Sequence, residues 1–97
     1  MATFVSLINF TQRGEEDIQH SVDRANAFCA AAEKVGARVK DVYWTLGKVD
    51  GVLVFEAPSD EVATSLMLGL AHQGNVRTQT LRAFTSEEMS AIVSSLA

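Results

Sequence analysis

Some segments of this chain have the apolar pattern of a strand and others have the apolar spacing of a helix. The order of these segments constrains the fold more than any other feature. Strand-like segments, which are alternating or continuously apolar, occupy residues 3–10, 38–46, 52–56 and 75–84. Helix-like segments, with apolar residues three and four apart, occupy residues 21–35 and 60–72. The predicted order is β-α-β-β-α-β, a ferredoxin-like α+β fold in which a four-stranded antiparallel sheet carries its helices on one face.

Polar and glycine residues mark the limits of the first helix. Residues 11–17 are polar and contain Gly14, which predicts a loop between the first strand and the helix. Ser21 is expected to cap the helix and Gly36 to end it. The predicted buried stripe comprises Val22, Ala25, Phe28, Cys29, Ala32 and Val35.

Similar signals delimit the second helix and predict a third. Ser59 or Asp60 is expected to cap the second helix, whose apolar stripe comprises Val62, Ala63, Leu66, Met67, Leu70 and Ala71. Residues 85–88 read Thr-Ser-Glu-Glu, a capping box in which Thr85 and Glu88 each satisfy the other's backbone amide. A short C-terminal helix follows, with the apolar residues Met89, Ile92, Val93 and Leu96.

The second and third strands are joined by a tight reversal over residues 47–51, which predicts an antiparallel hairpin. With Lys48 and Val49 at the turn, the expected pairs are Thr45–Val52, Trp44–Leu53, Tyr43–Val54 and Val42–Phe55. The core face then carries Val42, Trp44, Leu46, Leu53 and Phe55. The opposite face carries Asp41, Tyr43, Thr45, Val52, Val54 and Glu56.

This opposite face is apolar in the middle and would meet water in a single molecule. An exposed apolar surface of this kind is typical of an interaction surface. It would be buried if the sheet packed against the sheet of a second copy about a two-fold axis. Polar groups would then either line a cavity between the sheets or hydrogen-bond across the interface without a ligand. The residues expected there are Tyr43, Thr45, Thr78 and Thr80.

Length and composition exclude several classes of protein. Ninety-seven residues with 47% hydrophobic content predict one folded domain over residues 1–97. A net charge of −4 argues against a nucleic-acid partner. We expect no membrane segment and no secretory signal, because no apolar run is long enough and no basic lead precedes Phe4. The single cysteine, Cys29, fits a small buried residue in a cytoplasmic protein.

The chain resembles the GYD domain family of small bacterial and archaeal proteins. The matching stretches are residues 7–11, 43–50, 56–61 and 74–84, which read LINFT, YWTLGKVD, EAPSDE and GNVRTQTLRAF. Gly47 and Asp50 match the family's hairpin, whereas Val49 stands at the position of its tyrosine. The resemblance implies a ferredoxin-like fold assembled as a dimeric α/β barrel or higher oligomer. It implies no established activity, because the family is largely uncharacterised.

A few other polar residues are candidates for a ligand site. Asp50 is either a turn residue in an Asp-Gly pair or a general base at the barrel rim. Asn9 forms a polar pair with Thr11 that either lies near the rim of the cavity or caps the following loop. Arg77 and Arg82 lie on opposite faces of the fourth strand, and one of them either binds an anion or pairs with a carboxylate such as Asp41 or Glu56. The candidate ligand-binding set is Asn9, His20, Tyr43, Thr45, Asp50, Arg77, Thr78 and Thr80.

No metal site or cofactor is predicted. His20 and His72 are the only histidines, and neither has a second ligand four residues further on; Asp23 lies three residues after His20, but a match of two residues is common by chance. Phosphate-binding, dinucleotide-binding and nucleophile-elbow motifs do not occur in the sequence.

Three functional hypotheses follow. The leading one is a homo-oligomeric binding or interaction module with a small-molecule cavity between its sheets. The second is a cofactor-independent enzyme, oxygenase-like or isomerase-like, that uses Tyr43, Asp50, His20 or Arg77. The third is a regulatory trimer that binds effectors between its subunits.

Overall fold

The computed structural model describes residues 1–96 and confirms the ferredoxin-like order. The strands are β1 (Ala2–Phe10), β2 (Arg38–Trp44), β3 (Gly51–Ala57) and β4 (Val76–Ala83). The helices are α1 (Gln12–Glu16), α2 (Ser21–Lys34), α3 (Asp60–His72) and α4 (Ser86–Ser94), with a 3₁₀ turn at Ile18–His20. The four strands form one antiparallel sheet in the order β2-β3-β1-β4, so β1 and β3 are central.

The core lies between α2 and α3 and one face of the sheet. Phe4 and Phe55, opposite each other on β1 and β3, stack with ring centroids 5.3 Å apart. Small residues on the helices, Ala32 and Ala63, are buried against this face and allow the helices to approach it closely. Burial alternates strictly along β3, because every second residue points away from the helices. Two distinct faces result, as the sequence pattern predicts.

The β2–β3 hairpin has the predicted faces but not the predicted register. Trp44 lies opposite Gly51 and Tyr43 opposite Val52, two residues from the expected pairing. A shift of two leaves every side chain on its predicted face, because the side-chain period of a strand is two. A bulge between Val39 and Asp41 interrupts the ladder. The prediction of Leu46 on the core face is wrong, since β2 ends at Trp44 and Leu46 lies fully exposed in the turn.

The segment after β1 is more ordered than predicted. Residues 12–16 form the short helix α1, capped by Thr11, whose hydroxyl accepts from the Gly14 N–H at 3.2 Å. The same hydroxyl donates to the carbonyl of Gly74 at 2.6 Å and so joins the ends of β1 and α3. The predicted cap of α2 is wrong, because Ser21 is the first helical residue and His20 takes the cap position without a side-chain bond.

The predicted helix stripes are correct near the centre of each helix and wrong at their ends. Val22 and Val35 are about half exposed on α2, and Ala71 is exposed on α3. Gly36 and Gly74 follow their helices with positive φ, and for Gly36 this agrees with its predicted place at the end of α2.

The C-terminal helix α4 begins with the predicted capping box. Thr85 Oγ1 accepts from the Glu88 N–H at 3.1 Å, and Glu88 Oε1 accepts from the Thr85 N–H at 2.8 Å. In contrast to α2 and α3, α4 buries none of its residues. Within residues 1–96, no helix has the length and apolar character to cross a membrane.

Candidate functional site

The face of the sheet opposite α2 and α3, called the open face below, is apolar at its centre. Val5 lies between Val54 and Leu81, and Leu7 lies beside Val52, so these five side chains adjoin one another across three strands. Strand alternation adds the surrounding residues Thr3, Asn9, Arg38, Asp41, Tyr43, Glu56, Arg77, Gln79 and Ala83. The apolar centre with a polar margin resembles the anatomy of a protein interface.

Three predicted site residues lie on the open face. Asn9 is paired with Arg77 across β1 and β4, so their side chains lie side by side. Tyr43 lies on the edge strand β2 and is 59% exposed, with its hydroxyl donating to Asp41 Oδ1 at 3.4 Å. Because β3 and β1 separate Tyr43 from β4, this residue and Arg77 lie on opposite sides of the apolar centre.

The prediction that Thr78 and Thr80 share a face with Tyr43 is wrong. Thr78 is paired with Ile8 and Thr80 with Ser6, which places both threonines on the helix side of β4. Thr80 Oγ1 and the buried Ser6 Oγ are 3.0 Å apart and hydrogen-bonded. The sequence alternation of β4 left this choice open, because polar residues occupy both faces of the strand.

Thr45 and Asp50 hold the β2–β3 turn against β1. Thr45 Oγ1 donates to the carbonyl of Val49 at 2.6 Å, and the Thr45 N–H donates to the carbonyl of Asp50 at 2.9 Å. The Asp50 N–H donates to the carbonyl of Ile8 at 2.8 Å, and its Oδ2 accepts from the Phe10 N–H at 2.9 Å. Both residues therefore have structural partners, which supports the turn interpretation of Asp50.

His20 belongs to a charged cluster at the start of α2. Its Nδ1 donates to Asp17 Oδ1 at 2.6 Å, while Arg24 Nη1 donates to Asp17 Oδ2 at 3.0 Å and to the Asp17 carbonyl at 2.9 Å. The hydrogen bond from His20 is the main cause that lowers the pKa of Asp17, and the charges of His20, Arg24 and Arg13 act in the same direction. The His20 side chain is 57% exposed.

A cavity of about 70 Å³ lies on the helix side, where the sheet ends below α2. Its walls are mainly apolar, with Phe28 from α2, Trp44 from β2 and Leu70 from α3 among them. Trp44 Nε1 donates to Ser21 Oγ at 2.9 Å and so joins the edge strand to the first residue of α2. Polar groups enter the cavity wall from Ser21, Arg24, Asp50, Gln73 and Asn75.

Arg24 is the cavity residue that sequence reasoning missed. Its side chain is only 19% exposed, and its Nη2 is buried without a hydrogen-bond partner among the described residues. The available signal was its spacing, because Arg24 lies four and eight residues before Phe28 and Ala32 and therefore shares their inward face.

The predicted site residues are not all brought together. Asp50 lies in the cavity wall, and Tyr43 borders the cavity from the edge strand although its side chain is on the open face. Arg77 also lies on the open face, and His20 pairs with Asp17 at the surface. The four residues of the enzyme hypothesis therefore do not converge on one point.

Comparison with known proteins agrees with this architecture. The sequence model of the GYD domain family matches residues 4–93. The chain belongs to the GYD domain family. The match extends from β1 to α4, so the open face, the hairpin and the cavity all lie within the GYD domain.

A named protein and a solved structure, both from Thermus thermophilus, are similar to this chain. One is named glutamine synthetase and cystathionine beta-lyase binding protein. It is 36% identical over 84 residues, which are 86% of this chain and 88% of the relative. The other is the crystal structure of TTHA0845, with a TM-score of 0.57 and 25% identity, covering 89% of this chain and 96% of that one.

Proposed function

We propose that this GYD domain is a binding module that pairs with a second copy through the open face and binds other proteins with the surface that remains. The observation that carries the proposal is the apolar centre around Val5 and Val54, which no helix of residues 1–96 buries against the core. Joined apolar side chains in this position are typical of a surface that a partner protein occupies.

The dimensions of the sheet bear on how two copies would pair. Four strands about 4.8 Å apart and eight residues long at about 3.3 Å each give a face of about 500 Å². Two such faces would bury about 1,000 Å², the lower limit for a specific interface. Sheet packing alone would therefore give a weak dimer, and additional contacts would be needed for a stable one.

Helix α4 supplies a second apolar surface of suitable character. Phe84, Met89, Ile92, Val93 and Leu96 are all between 41% and 75% exposed. The radius of gyration is 14.6 Å, compared with about 12.5 Å for a compact domain of this length, so the chain is elongated. We infer that α4 lies against the second copy and enlarges the interface.

A protein-binding role agrees with the relative from Thermus thermophilus, whose name describes binding to two enzymes. That relative matches most of both chains, so its binding activity is a reasonable proposal for this domain. The proposal also assigns the domain to the cytoplasm, since the free thiol of Cys29 is compatible with a reducing compartment.

The test is the mass of the protein in solution. Light scattering with sedimentation velocity should give a dimer or a multiple of it at micromolar concentration. Val54→Lys, which places a charge in the apolar centre, should shift the protein to a monomer that remains folded by circular dichroism. Thr64→Lys adds the same charge on the exposed surface of α3 and should behave as wild type. A monomeric wild type would refute self-association, and a trimer would refute two-fold pairing.

A further inference from the structure

The two edges of the sheet differ in how well they are protected against pairing with another strand. The edge strand β2 has a bulge between Val39 and Asp41 and carries three charged residues among its seven. Both features discourage edge-to-edge association in native proteins. The other edge strand, β4, pairs with β1 in continuous register over eight residues and is uncharged from Thr78 to Leu81. The β4 edge therefore lacks the protection that β2 has.

The backbone bonds show which groups of β4 point outward. The carbonyl of Asn75 accepts from the Thr11 N–H at 3.1 Å, so Asn75 directs its backbone groups toward β1. Because this direction alternates along a strand, every second residue after Asn75 points its N–H and C=O to the outer edge. These residues are Val76, Thr78, Thr80 and Arg82. Outside the ladder with β1, none of the four forms a backbone–backbone hydrogen bond within residues 1–96.

The middle of β4 is also open to solvent on both of its faces. Residues 79–81 are all exposed, although successive residues point to opposite faces of the sheet. The Arg82 guanidinium turns inward, where it lies 5.7 Å from the centre of the Phe4 ring and donates to the carbonyl of Thr3 at 3.3 Å. This long side chain is therefore directed away from the outer edge, which leaves the outward backbone groups accessible.

We propose that the β4 edge pairs antiparallel with the β4 edge of a second copy, about a two-fold axis that is normal to the sheet beside Gln79. The two four-stranded sheets then form one continuous sheet, with the helices of both copies on the same side. This contact is additional to pairing through the open face and does not rest on it, because the edge and the face are separate surfaces.

The outward groups determine the register. With the two Gln79 residues opposite each other, Thr78 pairs with Thr80 of the second copy, and Val76 pairs with Arg82 of the second copy. All four outward residues then form backbone hydrogen bonds across the contact. A shift of two residues in either direction leaves one of the four without a partner inside the strand, so this register gives the most bonds.

The side chains fit the same register. Arg77 lies opposite Leu81 of the second copy, and Arg82 lies opposite the apolar Val76, so no two arginines face each other. Like charges directly opposite each other would destabilise the pair, whereas the opposed threonines on the helix side are a favourable cross-strand pair. The β4 sequence is therefore complementary to itself when two copies are antiparallel.

The size of the contact indicates its strength. An edge of eight residues is about 26 Å long and, with its side chains, about 10 Å high, which gives about 500 Å² for the two copies. This area is below the roughly 1,000 Å² of a specific interface, so the edge alone does not hold two copies together at micromolar concentration. Where the two-fold axes of edge and open face cross at a right angle, four copies close into a tetramer that buries both surfaces.

An engineered disulfide can capture this contact. Gln79→Cys places two cysteines opposite each other in a non-hydrogen-bonded pair, where Cα atoms about 4.5 Å apart suit a disulfide. At about 1 mM protein in a glutathione redox buffer, most of this variant should become a crosslinked dimer. The single native thiol is removed in every variant by Cys29→Ala.

Arg77→Cys is the matched control, because it lies on the same face of β4 and is equally exposed. In the proposed register its cysteines are about 13 Å apart, too far for a disulfide, and it should crosslink at least about tenfold less. Val54→Lys, combined with Gln79→Cys, should still crosslink at this concentration, because it changes the open face and not the edge.

A proline tests the backbone bonds themselves. Thr78→Pro removes one outward N–H and no bond to β1, a position where an edge strand tolerates proline. It should lower the crosslinking of Gln79→Cys at least about fivefold, whereas Thr78→Ala keeps the N–H and should lower it less than about twofold. Circular dichroism shows whether each variant is folded.

Two results would overturn the proposal. They are the absence of crosslinking in Gln79→Cys, and equal crosslinking in Gln79→Cys and Arg77→Cys, which is what random collision gives. If Thr78→Pro does not fold, the comparison of the two cysteine positions decides. Either result in a protein that is still a dimer at micromolar concentration would reject the edge contact alone, and a monomeric wild type at that concentration would reject pairing through the open face alone.

Discussion

The carboxylate of Asp50 accepts a hydrogen bond from the backbone N–H of Phe10 at 2.9 Å, across 40 residues of sequence. This bond joins the turn after β2 to the end of β1, beside the backbone bond from Asp50 to Ile8. The aspartate of the GYD hairpin therefore fastens the turn to the sheet.

Removal of this carboxylate should destabilise the domain. In Asp50→Ala the half-buried Phe10 N–H loses its acceptor, so we expect the free energy of unfolding to fall by about 1–3 kcal/mol. Asp50→Asn keeps an oxygen in place and should lose less than half of that amount. Urea unfolding followed by circular dichroism measures both values, and equal losses in the two variants would contradict the assigned role.

Gly14 should not accept a side chain. A Cβ at this buried position would overlap the carbonyl oxygen of Asn75, so α1 and the start of β4 would have to move apart. We expect Gly14→Ala to lower the free energy of unfolding by about 1–3 kcal/mol.

Gly69 provides the matched substitution. It is exposed on α3 and has no neighbouring atom within 4 Å of the added carbon. Gly69→Ala should therefore raise the free energy of unfolding by up to about 1 kcal/mol through helix propensity. The midpoints of thermal and urea unfolding should fall in Gly14→Ala and rise in Gly69→Ala. If both midpoints moved in the same direction, the contact with Asn75 would not explain the effect of the substitution at Gly14.

The caps of α3 and α4 should differ in their effect on global stability. Ser59 Oγ accepts from the Val62 N–H at 3.1 Å and caps α3, which packs in the core. Ser59→Ala should lower the free energy of unfolding by about 1 kcal/mol. Thr85→Ala removes the corresponding cap of α4, which buries no residue, and should increase amide exchange in α4 alone. An equal global loss in Thr85→Ala would show that α4 packs on the fold.

The pKa of Asp17 should depend on His20. The folded domain holds this pKa below its usual value of 3.8, chiefly because His20 donates a hydrogen bond to the carboxylate. A lowered pKa favours the ionised form in the folded state. The resulting stabilisation is present above the usual value and is lost as the pH falls from there through the folded pKa.

NMR titration of the Asp17 carboxyl carbon tests this dependence. The pKa should rise toward its usual value in His20→Ala and stay unchanged in His72→Ala, whose histidine ends α3. A wild-type midpoint at or above 3.8 would contradict the hydrogen bond.

The exposed stripe of α4 should matter for assembly and not for folding. Ile92→Glu places a charge in the stripe and should weaken self-association about tenfold or more. Ala91→Glu places the same charge on the other side of the helix and should have no such effect. Sedimentation equilibrium measures the self-association constant of each variant. If Ile92→Glu left this constant unchanged, α4 would lie outside the interface.

Much of the fold could be predicted from the sequence, because its local signals agree with one another. The capping box at Thr85 and the two faces of β3 depend on nearby residues alone, and both were correct. The register of the hairpin differs from the prediction by two residues, because β2 ends at Trp44 and β3 begins at Gly51, so the loop is longer than a two-residue turn. The end of β2 has no distinct sequence pattern.

The candidate site was harder to predict because it depends on contacts between distant residues. Thr80 was placed on the wrong face, since its partner Ser6 is 74 residues away and β4 has polar residues on both sides. Arg24 was missed because the only clue was a charged residue on the inward side of a helix. The role of Arg24 can be recognised only in the folded structure, where Asp17 and the cavity lie beside it.

The central position of β1 has a consequence for biosynthesis. The strand made first in this domain pairs along most of its length with β4, the strand made last. While residues 11–75 are being translated, the edge of β1 that pairs with β4 has no partner strand and can pair with another nascent chain. Rapid translation through β4, or a chaperone that shields β1 until then, should therefore raise the yield of native protein.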